Sequence, residues 1–145
     1  MQKRFLLLSG LISLLIINIS CSKDDDPAPS QKTKTELLTA APWKFEKIDP
    51  AMAASLIECF ADNIVTFLPN GTGTCPDTGE ACTPPTGPFN WNFTNNESVL
   101  HLDASLIPAG VNDFTIITLN ETNLVASQII TSPIGPVTVT VTFKH

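Results

Sequence analysis

Tyrosine is absent from this chain, histidine occurs twice and cysteine four times. Charged residues make up 15% of it, and its single arginine, Arg4, stands near the start. After residue 19 no apolar run approaches the roughly 20 residues that a membrane helix requires. Each shortage excludes something. Nucleic-acid binding depends on clustered Lys and Arg at phosphates, and eight basic residues against fourteen acidic ones supply no such patch. Acidic polysaccharide is excluded on the same ground. A metal centre needs His, Cys or carboxylates at tight spacing. Here His101 falls inside a strand pattern, His145 is the last residue, and no metal or cofactor is expected. Asp77 and Glu80 lack the dense oxygen ligands of a calcium loop. No nucleophile sits beside a base and no carboxylates pair, so the chain does not read as an enzyme.

What is present begins with Lys3 and Arg4 ahead of FLLLSGLISLLIINI, residues 5–19. A positive start and a short apolar run suit a cleavable signal peptide over residues 1–20. Residues 18–21, NISC, resemble a bacterial lipobox: Ser20 and Cys21 fit, and Asn18 stands where leucine is usual. The following CSKDDD resembles the start of lipoproteins of the Bacteroidetes group, in which Lys and then acidic residues, here Lys23 with Asp24, Asp25 and Asp26, look like a signal for display at the cell surface. The resemblance implies lipid attachment at Cys21 through fatty acyl chains such as palmitate, and an anchor in outer-membrane lipid. A periplasm-facing anchor is the alternative. Each buried CH2 contributes about 0.8 kcal/mol, and stable anchoring takes more than one chain. Residues 21–35 then form the acylated Cys and a polar, acidic tether with no packing face.

Residues 36–145 remain as one small domain. Loss of Lys3 and Arg4 moves the formal charge from -6 to -8. Its periodicity is that of strands. WKFEKI (43–48) alternates with an irregular end, and PAMAASLIECF (50–60) is the helical candidate, with Met52, Leu56 and Cys59 on one face. DNIVTFLPNGTGT (62–74) reads as strand, Asn-Gly turn, strand. FNWNF (89–93), SVLHLD (98–103), FTIITL (114–119), LVASQII (124–130) and VTVTVTFK (137–144) follow, the last with the strongest β-branched alternation. About eight strands with short connections make an antiparallel all-β fold, either a small up-and-down barrel or a sandwich.

Cys59, Cys75 and Cys82 favour a structural disulfide in an oxidising compartment. A two-residue loop at Asn70-Gly71 would pair residues whose numbers sum to 141 and bring Cys59 toward Cys82; Cys75 is the alternative partner of Cys59, and a local Cys75–Cys82 staple the rival. Trp43, Phe67, Phe89, Trp91 and Phe93 fill the core or wall an apolar ligand cavity. His101, between Leu100 and Leu102, faces solvent.

The order of Trp43, a short helix, Cys59, DNIVTFLPNGT, FNWNF and a strand pair ending in TNLVA resembles the lipocalin-like domains of Bacteroidetes lipoproteins, over residues 36–145. Its most telling residues are Asp62, Val65, Phe67, Asn70 and Gly71. The resemblance implies an up-and-down barrel with about eight strands and one short helix, and a disulfide from a cysteine before the Asn-Gly hairpin to one after it. Two roles follow as expectations. One is a non-catalytic accessory or structural lipoprotein acting through protein contacts, with a filled interior and an apolar patch or open sheet edge. The alternative is a binding module for a small apolar ligand or glycan fragment, with a cavity of roughly 300 Å³ or more.

Overall fold

Every strand pairing in a computed structural model of the protein is antiparallel, and consecutive strands are neighbours throughout. The structure describes residues 31–76 and 87–145. The eight strands are β1 (Trp43–Asp49), β2 (Ile64–Phe67), β3 (Thr72–Thr74), β4 (Pro88–Thr94), β5 (Val99–Leu102), β6 (Asp113–Leu119), β7 (Asn123–Ser132) and β8 (Gly135–Lys144). Periodicity alone left barrel and sandwich open; β1 decides, pairing with β2 through Lys44↔Ile64 and with β8 through Lys44↔Lys144 and Phe45↔Phe143. The sheet is a closed up-and-down barrel. Closure removes the free sheet edges that an open sheet would present.

The irregular end of β1 is a bulge between Phe45 and Lys47. An extra residue reverses the phase of the strand. Trp43 and Phe45 therefore point inward on odd positions while the next buried residue is Ile48. Phe45, Phe60 and Phe143 then meet edge to face, each pair of ring centroids 6.1 Å apart. On β7 and β8 the alternation is regular: Leu124, Ala126, Gln128 and Ile130 face Phe143, Val141, Val139 and Val137 across the ladder. The core comes from residues 38 onward within the unit Gln31–His145, so that unit holds all that a domain needs to fold alone.

Three expectations change. Residues 50–60 form two short 3-10 segments, Ala51–Leu56 and Glu58–Phe60, and the buried side chains are Ala53, Ile57 and Phe60, with Met52 in solvent. Pro50 is extended and caps the first segment from outside. The β2–β3 hairpin pairs Phe67 with Gly73, so partners sum to 140. Its loop has three residues, Pro69, Asn70 and Gly71, closed by Leu68 N–H on Thr72 O at 2.8 Å, with Gly71 in the left-handed region.

Of the disulfide expectation, the alternative pairing of Cys59 with Cys75 is corrected; Cys59 itself is disulfide-bonded. Among the described residues no disulfide bond joins two cysteines: Cys75, the alternative partner, is wholly buried in the apolar core. The β2–β3 ladder stops at Thr66↔Thr74, far short of Cys59, so the register argument for bringing Cys59 to Cys82 fails. Cys82 itself lies outside the described residues, as do Cys21, Asp77 and Glu80.

Helix α1 (Lys34–Leu38) begins just before the expected boundary at residue 36. It is held by a capping box. Thr33 Oγ1 accepts the Glu36 N–H at 3.1 Å, and the Glu36 carboxylate accepts the Thr33 N–H at 2.7 Å. The bonds that the Glu36 carboxylate accepts from Thr33 N and Oγ1 hold it below its ordinary value.

Candidate functional site

Up-and-down connectivity sorts the connections between two ends. At one lie α1 and the turns at 69–71, 95–98 and 120–122; at the other lie residues 50–63, the β5–β6 loop over residues 103–112, and the tip of the β7–β8 hairpin.

The α1 end is sealed. Trp43 is fully buried, donates its indole N–H to Leu38 O at 2.8 Å, and lies 3.7 Å, centroid to centroid, from the His145 ring. Asn-x-Thr turns tighten this end: Asn70 Oδ1 accepts from Thr72 N and Oγ1, and Asn120 Oδ1 from Thr122 N and Asn123 N. Inside, a cavity of about 10 Å³ is walled by Trp43, Phe67, Leu106, Phe114, Leu124 and Phe143 among others. That is room for roughly one water molecule. The lining is apolar and supplies no acid, base or nucleophile.

Of the five aromatics singled out in the sequence, Trp43 and Phe67 touch this cavity. Phe89 and Trp91 are buried on the same inward face without lining it, and Phe93 is partly buried against the core. Trp91 bridges the β2–β3 loop, its indole N–H shared between Thr72 O at 3.0 Å and Leu68 O at 3.2 Å. Phe67, Gly73 and Phe89 form one cross-strand row, and the two rings meet at 5.5 Å over the glycine, where a Cβ would overlap Phe89. His101 is on the outer face, its Nδ1 2.6 Å from Asp113 Oδ1.

The loop end is different. A groove of about 230 Å³ opens there, lined by Met52, Ala53, Ile130, Ser132, Pro133, Ile134 and Val137. Ile130 and Val137 belong to the inward face, directly paired across the hairpin. Met52 is 72% exposed and Ile134 87%. One inward position deeper sits Gln128, 4% exposed, whose amide oxygen and nitrogen have no hydrogen-bond partner among the described residues. The β5–β6 loop closes over this region by burying Leu106 and Ile107, and Gly110 bridges to Ile130. Gly110 leaves room for the Gln128 amide; a Cβ there would lie 2.9 Å from Oε1 and 3.1 Å from Nε2. The loop is clasped at its start, where Asp103 accepts from Asn90 N at 2.7 Å and Asn90 Nδ2 at 2.6 Å. Those bonds hold the Asp103 carboxyl below its ordinary value.

Gln128, Gly110 and Ile134 were not singled out from the sequence, and Met52 was placed only on the apolar face of the helical candidate. For Gln128 a signal existed: in LVASQII it falls in phase with Leu124, Ala126 and Ile130, a polar residue on an inward face. No comparable signal marked Ile134, because an exposed apolar residue in a hairpin tip is ordinary. Among the described residues no three His, Cys, Asp or Glu side chains cluster as metal ligands.

Such a barrel, closed at one end by a short helix and bordered at the other by longer connections, has the lipocalin-like architecture. Two solved structures of bovine odorant-binding protein, one in complex with undecanal and one with its natural ligand, align with it at a TM-score of 0.50 and 19% identity, covering 79% of this chain and 74% of theirs. At that identity the likeness concerns the fold. The sequence matches no protein-family model and gives no significant match to a curated protein.

Proposed function

We propose that this protein is a non-catalytic binding module that takes a small, uncharged, apolar molecule at the loop end of its barrel. The observation that carries this is the 230 Å³ apolar groove continuing onto the inward faces of β7 and β8. Ligand sites are concave and mostly apolar, with few polar groups. Among the described residues no charged side chain lines the groove, and a charged ligand would lose its hydration there without a partner. The odorant-binding proteins of similar fold, one of them holding undecanal, support the reading by analogy of architecture.

The test is a titration of residues 31–145 with N-phenyl-1-naphthylamine, a dye that brightens in apolar surroundings. Saturable binding of one dye per chain, weakened by Ile134→Asp with the fold intact, is the expected result. A linear, unsaturable response would overturn the proposal.

A second reading is favoured by the nearly filled interior at the α1 end. The exposed Met52 and Ile134 would then dock a protein partner, as an accessory lipoprotein would. The closed sheet, which offers no edge strand, makes this the lesser of the two.

For either role we infer from residues 1–35 a lipoprotein related to those of the Bacteroidetes group, anchored in the outer membrane through acylated Cys21 and displayed at the cell surface. Cys21→Ser should release the protein from the membrane fraction. Retention there would count against the anchor.

A further inference from the structure

Gln128 raises a physical problem. A buried amide without partners costs about 1–3 kcal/mol per unsatisfied group, and native proteins leave few such groups. Leucine would fill the same position on β7 without that cost. The surroundings do not relieve it. Val139 lies opposite on β8, Ala126 and Ile130 flank it on the inward face, and Gly110 packs against the amide itself. The Ile107 carbonyl near Gly110 already accepts from Ser105 Oγ at 2.7 Å and from Gly110 N at 2.9 Å. The amide is thus given its place by glycine's missing side chain and has no hydrogen-bond partner among the described residues.

We propose that Gln128 is the polar anchor of the loop-end site, and that the ligand is an uncharged apolar molecule ending in a carboxamide-like group, with a donor and an acceptor side by side. Oε1 accepts from the ligand and Nε2 donates to it. The apolar body runs outward along Ile130, Val137 and Ala53 to the rim at Met52 and Ile134. Gly110 is a positioning residue, acting through Gln128. This deepens the binding-module reading and rests on it.

The experiment uses residues 31–145, with N-phenyl-1-naphthylamine as reporter and 4-butylbenzamide and butylbenzene as competitors, which differ by the carboxamide. Wild type is expected to prefer the amide. Gln128→Leu should lose roughly tenfold in affinity for the amide relative to butylbenzene, the contribution of one or two neutral hydrogen bonds. Gly110→Ala, which pushes the Gln128 amide aside without meeting the ligand, should reduce the same preference and keeps the test open if Gln128→Leu folds poorly. Equal binding of the two competitors by a wild type that binds dye would overturn this inference and leave the binding module standing. An amide preference unchanged in Gln128→Leu would do the same, assigning Gln128 a purely internal role. Failure of wild type to bind the dye or either competitor would overturn both.

Discussion

At the α1 end Trp43 lies beneath Leu38 and His145, with its one polar atom bonded to Leu38 O. At the loop end Gln128 is equally enclosed and neither polar atom of its amide is bonded, while Met52 and Ile134 stand open. The same eight strands run through both. The contrast separates two uses of burial: at one end the buried indole is bonded and packing stabilises the fold, and at the other some stability is forgone around a groove. Departures from good local packing that persist in an otherwise consistent fold are where function is expected.

The sharpest way to break this contrast is to open the sealed end. Trp43→Ala removes a fully buried indole, and should destabilise residues 31–145 by about 3–5 kcal/mol in urea unfolding. A loss below about 1 kcal/mol would mean that the α1 end is not the structural end. Gly73→Ala is the next largest. Its Cβ meets the Phe89 ring and comes within 2.8 Å of Thr66 O, which the backbone cannot readily yield. Overpacking of this kind costs about 1–3 kcal/mol, and an unchanged melting temperature would sink the steric account. Thr33→Ala removes half of the capping box and should cost about 1 kcal/mol, detectable as earlier fraying of α1 by amide exchange.

The smallest effect sharpens the loop end. Asp103 is held below its ordinary value by Asn90, so its folded value is lower than its unfolded one. Its contribution is therefore complete at neutral pH and is lost as pH falls through the folded value. Below about pH 4 the Asn90 amide resonance should shift, and Asp103→Asn should abolish that titration. A pH-independent Asn90 signal would separate the loop from this clasp.

The strands were legible because a half-buried strand repeats every two residues, and LVASQII and VTVTVTFK do so without interruption. The 3-10 segments were less so: Pro50, the alanines and Ile57 fit several helical forms, and only packing chose Ala53, Ile57 and Phe60 over Met52. Helix α1 is too short for a periodic signal, although Thr33 and Glu36 spell its capping box. The β2–β3 register turned on one loop residue, Pro69, which no alternation pattern could resolve. The site was the least legible part. It is assembled from β7, β8, a 3-10 segment and the approach of Gly110, and only the third dimension brings these together.

Lys44 pairs with Ile64 on one side and with Lys144 on the other, twenty and one hundred residues away in sequence. Closing the longer of those loops costs entropy before any contact offsets it. The β7–β8 hairpin, whose pairs run without a shift from Ser132↔Gly135 outward, carries no such burden. The expected order of assembly is that the hairpin bearing Gln128 forms early and the β1–β8 seam, with Trp43 behind it, zips last. Folding should then be slow for a domain of this size, as barrels rich in distant pairings are. Ile48→Val in β1 should speed unfolding while leaving the folding rate nearly unchanged.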